Sequence, residues 1–287
     1  MRARRSTPRR TSLTLIWHDQ LLWIAVGAAT VMLALWAIQL RTRDAGVVDV
    51  GWAACLGAAA VFCALTGPGD PERRAIIGGM GAIWGARLAL HLLLDRVLRG
   101  PEDGRYQMMR EKLGARAQPV FLAFFQAQAL LVVILSAPFL LAALDARPGP
   151  APLDWIGLAI WCIGLVGESI ADAQLKAFKR RPDSHGRVCD VGLWRYSRHP
   201  NYFFEWLMWI GFATVAASAP LGWLAWSAPA LILLFVLKLT GIPPTEARAL
   251  RTRPEAYRRY QQTTSAFFPW PPKARPPSTP SIPESQP

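Results

Sequence analysis

Long apolar blocks, broken by short basic or Pro/Gly-rich stretches, constrain this chain more than any other feature. They fall at about 21–40, 46–66, 75–94, 119–144, 153–170, 201–219 and 221–242. Each is close to the roughly 20 residues with which an α-helix crosses a ~30 Å hydrocarbon core. No block alternates with the two-residue period of a half-buried strand. A helix also satisfies every backbone N–H and C=O without water. The expected fold class is all-α: a polytopic membrane protein of about seven transmembrane helices around a polar cavity that faces the cytoplasm. Apolar residues make up 52% of the 287 positions and charged residues 18%, which argues against an ordinary soluble domain.

The blocks set the domain organisation. Residues 1–14 are rich in Arg, Ser and Thr and read as a disordered basic tail. The block after them is too long for a signal peptide and lacks a small-residue cleavage site. Residues 15–268 read as a single transmembrane domain. Within it lie a polar segment at 95–118, a polar extension of the fifth span to Arg181, a loop at 182–200 and an amphipathic helix at 245–262. Residues 269–287 are Pro-rich and read as disordered.

The net charge of +13 does not point to nucleic acid. The basic residues cluster between apolar blocks, as cytoplasmic loops do, and suit anionic lipid headgroups. The stretches 41–46, 95–118, 172–200 and everything after Ile242 carry most of them. This places those loops and the C-terminus in the cytoplasm, with the protein in a bacterial inner membrane. The basic N-terminal tail then lies on the opposite side, either as an exception or because the span count differs by one. Cys55, Cys63 and Cys162 read as small buried residues, and Cys189 lies in a loop. No Cys-x-x-Cys or other metal-ligand spacing is present, so no metal is expected. Nothing suggests a protein partner.

Polar residues inside apolar spans are costly and mark functional sites. Arg87, His91 and Asp95 recur at i, i+4 and i+8. Glu168, Asp172, Lys176 and Arg180 do the same at the end of the fifth span. Asp49 opens the second span, and Glu246 opens the helix after the seventh. Between Gly192 and Trp206 the chain reads Gly-Leu-Trp-Arg-Tyr-Ser-Arg-His-Pro-Asn-Tyr-Phe-Phe-Glu-Trp. Pro200 suits a first helical turn, and Asn201 and Glu205 then share a face. Arginines at a cavity rim suit phosphate groups, and an apolar floor suits a lipophilic substrate. Structural ion pairs that fix helix register are the simpler alternative. Tyr106 reads either as a proton donor or as an interface anchor. No Gly-x-Gly-x-x-Gly follows a strand, so a Rossmann site is not indicated.

The 192–206 stretch, with Gly241-Ile-Pro-Pro-Thr-Glu246 and Pro254-Glu-Ala-Tyr-Arg-Arg-Tyr260, resembles the steroid 5α-reductase superfamily, and most of all its uncharacterised bacterial branch. The resemblance spans about 45–270 and is most specific in the C-terminal third. It implies NADPH bound from the cytoplasm and hydride transfer to the C=C of a lipophilic enone or unsaturated lipid drawn from the bilayer. By resemblance, Asn201 and Glu205 hold the nicotinamide end. Asp172, Arg187, Arg195 and Arg198 line the adenine–phosphate end. Arg87, Asp95 and Arg96 match an Arg…Asn-Arg pattern, His199 and Tyr202 shape the pocket, and Glu246 joins the cofactor set. In the steroid enzymes a tyrosine polarises the carbonyl, but here its position holds Trp84. Its partner glutamate aligns with Asp49, so Asp49 and Trp84 are the expected catalytic positions. The chain is also similar to isoprenylcysteine carboxyl methyltransferases, which share an Arg-His-Pro-x-Tyr turn. That resemblance implies S-adenosylmethionine instead of NADPH. A third reading is a non-catalytic membrane protein that binds lipid.

Overall fold

A computed structural model describes residues 17–98 and 102–274. The tail expected at 1–14 lies outside the described residues, as does the 275–287 part of the Pro-rich tail. The helices are α1 (Trp17–Thr42), α2 (Val47–Thr66), α3 (Pro71–Leu92), α4 (Gly104–Leu113), α5 (Ala117–Leu135), α6 (Ala137–Leu144), α7 (Pro152–Lys179), α8 (Pro200–Ala216), α9 (Ser227–Leu234), α10 (Ile242–Thr252) and α11 (Pro254–Thr263). π-turns at Leu93–Val97 and Phe235–Leu239 extend α3 and α9. Among the described residues there is no β-strand, only an isolated bridge between Ser197 and Ser265.

Among the described residues six segments are long and apolar enough to cross a membrane: Trp17–Thr42, Val47–Thr66, Pro71–Asp95, Gly104–Leu144, Pro152–Lys179 and Gly222–Thr252. The chain is thus an all-helical, polytopic membrane protein. The expected span at 201–219 folds as α8, which has 17 residues. At 1.5 Å per residue it reaches about 25 Å, the short end for a crossing helix.

The chain divides into two compact units, residues 1–161 with 209–230 and residues 162–208 with 231–287. In the first unit α2 and α3 meet through small residues. A Cβ on Gly85 would lie 2.6 Å from the Gly57 Cα and 2.9 Å from the Ala53 carbonyl oxygen. Such close backbone approach is how membrane helices gain packing without a hydrophobic drive between them. Amide side chains tie α1 to its neighbours: Gln20 Nε2 donates to Thr66 Oγ1 (2.8 Å) and Gln39 Nε2 to Gln118 Oε1 (2.7 Å). At the start of α3, Asp70 accepts the backbone N–H groups of Glu72 and Arg73, and Pro71 occupies the first turn. This is a standard N-cap with proline where no N–H is needed.

In the second unit the middle of α7 carries Gly164 and Gly167. A Cβ on Gly164 would sit 2.9 Å from the Phe204 carbonyl oxygen, so α8 packs directly on the backbone there. The amphipathic segment expected as one helix at 245–262 is two. Arg253 has φ −149° and ψ 59° between them. Pro254 explains the break, because a proline disfavours helical geometry in the residue before it and opens a new helix itself. The chain then returns as a strap. Arg198 N donates to Ser265 O (2.8 Å), Trp270 N to Tyr196 O (2.9 Å) and Lys273 N to Thr263 O (2.8 Å). Phe267 and Phe268 pack on Phe203 and Trp206. The strap thus carries residues 269–274, the first part of the segment expected as disordered. Cys162, expected to be buried, is exposed on α7, while Cys63 is buried and Cys55 half-buried; all four cysteines are free thiols.

Candidate functional site

The 192–206 stretch is fixed from several directions within the second unit. Gly192 has φ +58°, and the Gln174 side chain lies 2.5 Å from where a Cβ would be. Only glycine tolerates both conditions. Gln174 Oε1 accepts the N–H of Leu193 (2.9 Å), and Trp194 Nε1 donates to the Ala171 carbonyl (2.9 Å). Ser197 Oγ donates to Phe267 O (2.7 Å) and accepts the N–H of His199 (3.1 Å).

Glu246, just past the first turn of α10, is the centre of this arrangement. Its Oε1 accepts from Arg198 Nε (2.7 Å) and Tyr257 OH (3.1 Å) and lies 3.3 Å from His199 Nε2; its Oε2 accepts from Gln261 Nε2 (2.7 Å). Arg198 also donates to the carbonyls of Thr264 (2.6 Å) and Gln261 (3.3 Å). One carboxylate therefore locks α10, α11 and the turn before α8. Burial, then the charge of Glu246, push the Tyr257 hydroxyl above its ordinary pKa, so it stays a neutral donor. His199 is buried and stacks on Tyr202, with ring centroids 5.3 Å apart and planes 4° apart. Tyr202 OH lies 3.2 Å from Thr245 Oγ1. Tyr260 OH donates to the carbonyls of Trp194 and Ser197.

Beyond this clamp α8 begins at Pro200. Asn201 Nδ2 donates a long bond to Asp172 Oδ1 (3.4 Å) on α7. Glu205 is half-buried one turn further along. Arg187 is exposed and paired with Asp183, and its carbonyl accepts from Arg253. Arg195 is exposed and has no carboxylate partner among the described residues. The structure therefore brings Arg198, His199, Tyr202 and Glu246 into one network and joins Asn201 to Asp172. It leaves Arg187 and Arg195 at the surface.

In the first unit Asp49 sits in the first turn of α2. Arg105 Nη2 donates to its Oδ2 (3.1 Å) and Tyr106 OH to its Oδ1 (2.9 Å). Asp103 positions both donors by capping α4 through the N–H of Arg105 (2.9 Å). Glu102 accepts the N–H of Ala45 (2.8 Å) and an Arg110 Nη2 bond (2.8 Å), holding this helix to the start of α2. Trp84 is fully buried, with edge-to-face contacts to Trp52, Trp209 and Phe212. Arg87 is half-buried on α3, and Asp95 lies in the π-turn with His91 Nδ1 3.4 Å from its carboxylate. The Arg96 side chain lies outside the described residues. Among the described residues no group of three or more His, Cys, Asp or Glu could hold a metal ion.

Tyr257, Gln261 and Glu102 were not singled out from the sequence, because what they do depends on contacts between distant positions. Tyr106 carried a legible signal. Asp103 before a polar helix is an N-cap that puts Tyr106 in the first turn.

The chain matches the family described as a protein of unknown function, DUF1295, over residues 35–264. It is 28% identical over 260 residues to an uncharacterised protein of Schizosaccharomyces pombe, covering 82% of this chain and 75% of that one. No solved structure matches it. The chain therefore belongs to the DUF1295 family, part of the steroid 5α-reductase-like group.

Proposed function

We propose that this protein is an NADPH-dependent membrane reductase that transfers a hydride to the C=C of a lipophilic enone or unsaturated lipid. The reading is carried by the Glu246 clamp. Four side chains converge on one carboxylate and fix the Arg198–Pro200 turn, so that Asn201 and Glu205 emerge from α8 in a set geometry. Such pre-organisation suits the orientation of a reacting cofactor. The donor chemistry fits NADPH. Asn201 and Glu205 offer an amide and a carboxylate for the carboxamide of the nicotinamide, and Arg195, with no carboxylate partner among the described residues, offers a guanidinium for phosphate. Arg187 and Asp172 extend that set. Arg198, His199 and Glu246 hold the turn, and Tyr202 stacks on it. When bound, NADPH supplies the hydride, and the protein supplies position and charge. The loops of the second unit, with their arginines and lysines, face the cytoplasm in this reading.

Asn201→Ala and Glu205→Gln are expected to abolish NADPH binding in protein that keeps its wild-type melting profile. NADPH fluorescence titration of the purified variants checks this. Wild-type affinity in both variants removes the site assignment.

A further inference from the structure

Residues 264–274 of the second unit read Thr-Ser-Ala-Phe-Phe-Pro-Trp-Pro-Pro-Lys-Ala. Phe267 is buried, yet Phe268 and Trp270 are 52% and 70% exposed. Tyr196, whose carbonyl accepts the Trp270 N–H (2.9 Å), is 44% exposed. Three exposed aromatic residues are thus gathered where the strap meets the turn before α8. Pro269 and Pro271 flank Trp270 and fix the backbone around it, so little freedom is lost when its ring meets a partner.

The backbone of the strap points to the kind of partner. A backbone N–H left free is costly where water is scarce. Pro269, Pro271 and Pro272 have none. The N–H groups of Trp270 and Lys273 are bonded inside the protein, to Tyr196 O (2.9 Å) and Thr263 O (2.8 Å). From 269 to 273 the strap therefore offers no free backbone donor, although Pro269, Trp270, Pro271 and Lys273 lie on the surface.

Its place and charge agree with this. Phe268 meets Phe203 and Trp206 at centroid distances of 6.1 and 5.9 Å. Both belong to the first two turns of α8, where the apolar run of that helix begins. Residues 256–274 carry Arg258, Arg259 and Lys273, all exposed, and no carboxylate. Lys273 is tied to Thr263 through its N–H, and Thr263 Oγ1 donates to the Arg259 carbonyl one turn earlier (3.4 Å). The two cations therefore stand at the same end of α11.

We infer that the strap at 264–274 is an interfacial anchor for an anionic phospholipid surface. Trp270, Phe268 and Tyr196 enter the boundary between headgroups and acyl chains, where amphipathic rings are favoured. Arg259 and Lys273 meet the lipid phosphates. Ser265 O accepts the Arg198 N–H (2.8 Å) and Phe267 O accepts from Ser197 Oγ (2.7 Å). A strap seated on lipid thus steadies the turn before α8, whatever that turn binds.

The full-length protein with Ala274→Cys, an exposed position, in a Cys55→Ser/Cys162→Ser background is labelled with a nitroxide. It is placed in nanodiscs of phosphatidylcholine alone or mixed with phosphatidylglycerol. Power-saturation electron paramagnetic resonance reads collisions of the label with oxygen, which concentrates in the bilayer, and with a nickel chelate, which stays in water. In the mixed nanodiscs oxygen should reach the label more readily than the chelate does, and this preference should weaken in phosphatidylcholine alone. Phe268→Ser/Trp270→Ser should return the label to water. Arg259→Gln/Lys273→Gln should remove the difference between the two lipids. Phosphatidylglycerol should also raise the melting temperature of the unlabelled wild type, but not that of the charge variant. A label open to the chelate in both lipids overturns the inference. So does one shielded from oxygen and chelate alike, which would mean that protein, such as a second copy of the chain, covers the strap. The charge variant alters exposed side chains alone, so a lipid preference unchanged in it overturns the anchor even where the aromatic variant fails to fold.

Discussion

Arg73 shows how much a single side chain depends on its partners. Its side chain is 1% exposed, and its guanidinium lies between Asp154 (2.9 Å) and Asp145 (3.1 Å), whose side chains are 0% and 1% exposed. It also donates to the carbonyls of Asp145 and Arg147. Removing one member of such a buried set leaves an uncompensated charge, at a cost of about 3–5 kcal/mol. Arg73→Met should therefore lower stability by that order in denaturant melts of the detergent-solubilised protein. Asp145 adds a pH dependence. Burial alone would raise its carboxyl, but hydrogen bonds from Arg147 and the charges of Arg73 and Arg147 outweigh burial and hold its pKa below the ordinary 3.8. The ionised form thus contributes full stability above the ordinary carboxylate range, and that contribution fades as pH falls from about 3.8 through the folded value. The gap in melting temperature between wild type and Asp145→Asn should be wide at pH 7 and narrow on approaching pH 3; a gap constant across that range contradicts the assignment. Arg195 carries a prediction of a different kind. If it meets the 2′-phosphate, Arg195→Ala should weaken NADPH more than NADH, and equal weakening in paired titrations removes that role. None of the Arg73 network was legible in the sequence, because its members are separated by some 70–80 positions, on the first turns of α3 and α7 and in the loop between α6 and α7.

Elements were legible where length and proline decide them. The apolar blocks became helices because nothing else satisfies their backbone in lipid, and α7 runs on past its apolar part to Lys179, as its spaced charges suggested. Breaks inside expected elements were less visible. Span four divides into α5 and α6 around Ser136, where Pro138 removes an N–H from the helical ladder. The polar segment at 95–118 hides α4, whose apolar pattern is weak and whose stability comes from Asp103, Glu102 and Arg110. Close packing was likewise invisible until α2 and α3 were side by side. Gly85→Leu would drive a side chain into the Gly57 backbone, which cannot move as a flexible side chain would. A loss of about 1–3 kcal/mol or more is expected, measured as a lower unfolding midpoint. Gly79→Leu on the same helix faces open space and should leave the midpoint near wild type.

At the scale of the molecule, composition and block length sufficed for a polytopic helical membrane protein. The 192–206 motif sufficed to single out the turn before α8. It did not separate residues that present a ligand from residues that hold the turn. Arg198 and His199 read as cofactor-site residues by resemblance, yet both are committed to Glu246 in the folded chain. Asp49 read as a site from its place in the second span and from alignment with the family's glutamate, and its two donors come from α4, far along the chain. The central claim is that the folded protein binds NADPH. Ligand-induced thermal stabilisation of the detergent-purified protein, with NADPH, NADH and S-adenosylmethionine in parallel, tests it most directly. At about a hundred times its dissociation constant, NADPH should add roughly 2.7 kcal/mol of stability, with NADH weaker and S-adenosylmethionine inert. Stabilisation by S-adenosylmethionine alone, or by none of the three in protein that melts cooperatively, would contradict it.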